Sequence, residues 1–288
     1  GRRISRRMGL FNISWSLGDA VGTAVAGVAF DIYPVLPFLL VVVLMIPLLL
    51  FVLIALRQPE EVSNGQPLHD LDRPADQDTN SRFRKGAWVG NFVGAGVTNI
   101  LKSVFAAPAA DIFRMGGLGY GFVIATFNAT RTLTFLAMRL WHGWRYRRGV
   151  FLWVNSLIAL GMITVIAASY APLAVALPIV FIAFAAAGVG VGMTYFSSIF
   201  YTVDTSDHAE STTPIHEAVL GAGGGLAAVA AGLTHQLAPN ALSPLAMCAV
   251  VVAVGMVISA RCMSSRSAKS NTLAVSPHLQ YPKQHDSN

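Results

Sequence analysis

Along this chain, stretches of about twenty apolar residues alternate with short polar joints. One joint is far longer than the rest. Apolar runs occupy 35–56, 150–169, 173–200 and 242–260 without a charged residue. Four further runs, 9–30, 87–108, 118–140 and 213–236, are apolar in the main but carry polar or ionisable side chains. About 20 apolar residues suffice to cross the ~30 Å hydrocarbon core as a helix. The pattern therefore predicts an all-α, polytopic membrane bundle with eight spans. The runs are too long for barrel strands and lack their period-two alternation.

The long joint, 57–86, holds Glu60, Glu61, Asp70, Asp72, Asp76 and Asp78 beside five basic residues and three prolines. Without an apolar face to bury, it reads as a flexible linker. It divides the chain into 1–56 with two spans, the linker 57–86, and 87–263 with six spans. A polar, Ser-rich tail follows at 264–288 and reads as disordered.

Composition agrees. The chain is 54% hydrophobic and 12% charged, with a mean hydropathy of +0.58; a soluble domain carries roughly twice that charge. The basic residues fix an orientation. With the amino end in the cytoplasm, 17 of the 20 Lys and Arg residues fall in cytoplasmic segments, Arg114 alone lies outside, and Lys102 and Arg131 lie within spans. Both termini are then cytoplasmic, in a multi-pass protein of the cell (inner) membrane. The net charge of +6 thus reports topology rather than a nucleic-acid partner, for which no folded basic surface is available. Cys248 and Cys262 are too few, and too apolar in setting, for a disulfide framework or a metal site.

A short repeat links the two sides of the linker. Residues 16–22 read Ser-Leu-Gly-Asp-Ala-Val-Gly and residues 219–225 read Val-Leu-Gly-Ala-Gly-Gly-Gly. Leu17, Gly18 and Gly22 superpose on Leu220, Gly221 and Gly225, and small residues follow at 23–27 and 226–232. Small residues four apart let two backbones approach closely, which makes Gly18, Gly22, Gly27, Gly221 and Gly225 candidate helix-packing or gating positions.

With these glycine-rich spans, the charged linker and the basic stretch 139–149 (Arg-Leu-Trp-His-Gly-Trp-Arg-Tyr-Arg-Arg-Gly), the chain resembles the major facilitator superfamily of secondary transporters. The glycine-rich spans look like that family's fifth and eleventh helices, and the linker like the loop between its two six-helix halves. Arg139, Arg145, Arg147 and Arg148 look like a degraded form of its basic loop motif, here without the usual acidic residue. The resemblance implies a small-molecule substrate, possible coupling to protons and no cofactor. It also implies four further helices in the first half, so that this chain is expected to be a fragment, with helices supplied by another chain as the alternative. A sensor or scaffold of the same fold is the alternative. No phosphate loop, His-Glu-x-x-His or other enzyme signature is present.

Ionisable residues in a span cost about 2.5–3.5 kcal/mol on insertion scales, so they face a cavity or a partner. Asp19 and Arg131 both fall roughly 14–15 Å deep at 1.5 Å per residue. The fifth and eighth helices of the family that the chain resembles face each other, so the resemblance implies that a salt bridge between them is geometrically possible, as a static pair, as a bridge that breaks during transport or as part of a substrate site. Asn91, Thr98, Asn99 and Lys102 share one side of a helix, and Asn128 and Arg131 give the next span a polar edge. Asn99, Lys102, Asn128 and Arg131 are expected to line a cavity, although Lys102 could instead snorkel outward. Glu217 is a further substrate or coupling candidate. Its neighbour His216 reads as an interfacial anchor, with a proton relay as the sharper alternative.

Overall fold

The computed structural model describes residues 2–55, 77–204 and 209–264. Among them, every regular element is a helix: α1 (Arg2–Ile32), α2 (Leu36–Ala55), α3 (Gln77–Ser103), the short α4 (Ala106–Asp111), α5 (Gly117–Leu140), α6 (Arg148–Ala168), α7 (Leu173–Asp204), α8 (Ala209–Leu237) and α9 (Ser243–Met263). Six of these, α1, α2, α6, α7, α8 and α9, are long and apolar enough to cross a membrane. The protein is a multi-pass membrane helix bundle. The two other long helices, α3 and α5, have 27 and 24 residues. Among the buried polar side chains they carry Asn91, Asn128 and Arg131.

α3 is the hub, packed on α7, α8 and α9, while α5 lies between α1 and α7. A large apolar core joins Val97, Ile100, Phe105, Phe127, Phe184 and Val252. α2 packs chiefly on α1, and none of its described side chains is buried. Exposed leucines and valines along it suit contact with lipid, where apolar surface costs nothing.

The linker expectation needs correcting at its carboxyl end. Residues 77–86 are the first turns of α3, not flexible chain. Phe83 explains this: it is buried in a second, aromatic core and packs on Tyr146 and Tyr201. Gly86 meets Met263 of α9 nearby. An Asp78–Arg82 ion pair spans one helical turn of the same stretch. Residues 57–76 and the tail from 265 lie outside the described residues.

The expected span 87–108 also ends early. α3 stops at Ser103 and the chain turns into α4, where Phe105 is buried against Phe113 and Phe184. The basic stretch folds as an aromatic-locked turn. Trp144 is buried edge-on against Phe196, Phe200 and Tyr201, and its indole donates to the Met138 carbonyl at 3.0 Å. Tyr146 takes a positive φ of 53°, and its amide donates to the Tyr201 hydroxyl at 2.9 Å. Arg147 and Arg148 are exposed, whereas Arg139 and Arg145 are half-buried, with Arg145 over the Phe200 ring.

The glycine repeat does not pack as expected. A Cβ at Gly18, Gly22, Gly221 or Gly225 would meet nothing within 4 Å. These four lie on exposed faces of α1 and α8 that turn away from their neighbours. Gly27 alone of the five sits in a tight seam: a Cβ there would stand 2.5 Å from the Gly117 carbonyl, and one on Gly121 would stand 2.9 Å from the Gly27 Cα. Other close approaches use Gly188 and Gly192 of α7, against α5, and Gly223 of α8, against Phe92 of α3.

Candidate functional site

One face of α1 builds the site. Asn12, Ser16, Asp19, Thr23, Gly27 and Asp31 recur at steps of three or four, so they stack along one side of the helix. That side faces α5. Asn12 and Ser16 are fully buried there.

Near the middle of this seam, Asp19 accepts from two cations through one oxygen. Arg131 Nη2 of α5 lies 2.7 Å from Asp19 Oδ2, and Lys102 Nζ of α3 pairs with the same oxygen. The expected Asp19–Arg131 bridge is therefore present. Lys102 turns inward to join it instead of reaching for the interface. Arg131 Nε donates to Ser16 Oγ at 3.1 Å, and Thr132 Oγ1 lies 2.8 Å from both Ser16 Oγ and the Asn128 carbonyl. The Trp15 ring covers the guanidinium at 4.5 Å, with Phe127 at 5.7 Å. Trp15 is held in turn by a bond from its indole to Asn12 Oδ1 and an edge contact with Tyr195. Such stacking favours a desolvated cation and fixes its plane.

Two cavities meet at this cluster. The first, about 520 Å³, lies among α1, α3, α5, α7 and α8 and is lined by Trp15, Asn91, Asn99, Tyr195 and Glu217. The second, about 650 Å³, lies toward the α1–α2 and α4–α5 turns and is lined by Phe30, Asp31, Met115 and Tyr120. Asp19 and Lys102 are the two residues common to both linings. Arg131 faces the first cavity only.

Of the sequence candidates, Asp19, Asn99, Lys102, Arg131 and Glu217 thus surround the first cavity. Asn99 also ties α3 to α8, donating from Nδ2 to the Gly224 carbonyl at 2.7 Å. Asn128 does not belong with them: it is fully buried and does not line this cavity. Its backbone carbonyl accepts from Ser16 and Thr132, and its side chain is enclosed within the packed bundle. His216 is not an interfacial anchor. It is buried, with Nδ1 2.8 Å from Ser198 Oγ and its ring edge-on to Tyr195. Glu217 points elsewhere and is exposed, 4.0 Å from His216 Nε2.

Asp31 was not singled out in the sequence. Its carboxylate accepts from the amides of Gly117 at 2.8 Å and Leu118 at 2.7 Å, capping the start of α5 from a different helix. Those amides have no partner within their own helix, and a carboxylate there also suits the helix dipole. The three-to-four-residue stripe running up from Asn12 is the signal that points to it.

Among the described residues, no group of three or more His, Cys, Asp or Glu side chains is placed to hold a metal ion. Cys248 and Cys262 are both free thiols. Compared with protein-family models, with curated proteins and with solved structures, the chain gives no match.

Proposed function

We propose that the protein is a secondary transporter of the major facilitator type, moving a small solute by alternating access with both termini in the cytoplasm of a cell whose inner membrane it spans. In this reading α1 and α2 belong to one bundle and α3–α9 to the other, with α3 and α5 crossing the membrane as polar-lined spans. The carrying observation is the ion cluster of Asp19, Lys102 and Arg131 between two cavities. It joins α1 to α3 and α5, so it is made and broken as the bundles rock. Midplane sites at a repeat interface are what such carriers use, and intramembrane charge clusters mark substrate or ion pathways. A solute or proton gradient supplies the energy, and the protein performs no covalent chemistry.

Accessibility tests this reading. Single cysteines at Thr98, facing the first cavity, and Ala106, facing the second, are placed in a background without Cys248 and Cys262. Their reactivity toward an impermeant maleimide should move in opposite directions when a proton gradient is imposed across proteoliposomes. Constant reactivity at both positions would argue for a static scaffold.

A further inference from the structure

The charge balance of the cluster identifies what it lacks. Asp19 supplies one negative charge to two cations, so the group carries a formal +1 within the bundle. Glu217 is the other charged side chain on the first cavity's wall, and among the described residues it pairs with neither cation. With Glu217 the cavity wall as a whole is formally neutral, but that carboxylate is exposed and pairs with neither cation, so the second cation of the cluster has no carboxylate of its own.

Hydrogen-bonding capacity is lopsided in the same sense. Arg131 has five N–H donors and Lys102 three. The described partners are Ser16 and Asp19 for Arg131, and Asp19 for Lys102. Asn91 also lines the cavity, but its Nδ2 is buried, without a partner among the described residues, and does not reach the cavity surface. The two cations face a space whose apolar walls are Phe11, Trp15, Val191, Tyr195 and Leu220, with Thr98, Asn99 and Glu217 as further polar lining. Such a wall suits an apolar or aromatic body.

From this we infer that the first cavity binds a monoanionic organic acid, its carboxylate on Lys102 and Arg131 and its apolar body against Trp15, Tyr195 and Leu220. The inference deepens the transport reading and rests on it for its physiological meaning. The bound carboxylate supplies the missing negative charge. It also competes with Asp19 for the two cations, so occupancy loosens the link between α1 and the α3–α5 pair. Substrate binding and bundle release then become one event.

The test uses phenylacetate, its neutral amide phenylacetamide and the cation phenethylamine, titrated calorimetrically into the protein in phosphatidylcholine nanodiscs. That lipid brings no net-anionic headgroup to compete. Phenylacetate should bind at least about tenfold more tightly than the amide, the weight of one charge-assisted hydrogen bond, and phenethylamine should bind least. Lys102→Gln leaves Asp19 and Arg131 as a balanced pair, so the fold is kept while the preference for the acid disappears. Asp19→Asn leaves both cations free and should tighten phenylacetate binding. A merely structural role for the cluster predicts the reverse. Equal binding of acid and amide, preference for the amine, no saturable binding of phenylacetate in the millimolar range, or an unaltered preference in Lys102→Gln would each overturn the proposal. Counterflow of labelled phenylacetate separates the two readings. Binding without flux keeps the anion site and sinks transport, whereas gradient-driven changes in cavity accessibility without acid preference do the opposite.

Discussion

Arg131 of α5 and Lys102 of α3 meet on a single atom, Oδ2 of Asp19 on α1. Three helices far apart in sequence are thereby tied at one point, and the carboxylate, not either cation, is the shared element.

That asymmetry orders the effects of substitution. Asp19→Asn strands two cations together, while Arg131→Gln or Lys102→Gln leaves one balanced pair. Breaking a buried pair by removing one partner costs about 3–5 kcal/mol. Asp19→Asn should approach that range and exceed Lys102→Gln, whose side chain is 29% exposed. Thermal unfolding in detergent reads the order. Combining Asp19→Asn with Arg131→Gln should cost less than the sum of the two. Strict additivity, or an Asp19→Asn loss no larger than the lysine's, would mean the shared oxygen carries no special weight.

Glycine substitutions separate two populations that look alike in sequence. Gly27→Ala and Gly121→Ala push a Cβ onto opposing backbone and should destabilise by about 1–3 kcal/mol, as overpacking does. Gly18→Ala, Gly22→Ala, Gly221→Ala and Gly225→Ala meet open space and should be neutral or gain up to about 1 kcal/mol from helix propensity. The measurement is midpoint temperature across the six variants. A loss at Gly18 or Gly221 equal to that at Gly27 would place an unrecognised neighbour against those faces.

Removing the cap on α5 has a defined size. Asp31→Ala leaves the Gly117 and Leu118 amides without their acceptor and should cost about 1 kcal/mol, the usual worth of an N-terminal cap. Hydrogen exchange should accelerate at those two amides, with the middle of α5 unaffected. Unchanged exchange there would show that the cap is dispensable.

The distribution of basic residues predicts a topology that labelling can test. In a background without native cysteines, labels at Asn64 and Ser270 should react only from the cytoplasmic face, and a label at Gly116 only from outside. Reaction of Asn64 from the outer face would reverse the orientation.

Much of the bundle could be read from apolar run length alone, because a helix must satisfy its own backbone wherever water is absent. The Asp19–Arg131 bridge could be read only in part: helix rise matches their depths, but that α1 and α5 face each other came from the family resemblance and not from the residues. Lys102 was harder. Its position in the span allows it to snorkel outward, and Asp19 comes within its reach only because α1 packs along α5. Gly18 and Gly221 misled because spacing reports which residues share a face, not whether another helix covers it. Residues 77–86 looked like linker for a related reason: Phe83 is one aromatic in a charged stretch, and its burial depends on Tyr146 and Tyr201 arriving from distant helices.

The cap that Asp31 places on α5 bears on what parting α1 from α5 at this end would require. Separating α1 from α5 there exposes two amides and a carboxylate at once, and each needs a replacement partner as it is released. Water is the available one. If the proposed alternation parts the two helices here, water has to take over these bonds as they break. A solute too large to enter the cleft, by withdrawing water osmotically, would hold the seam shut without touching it.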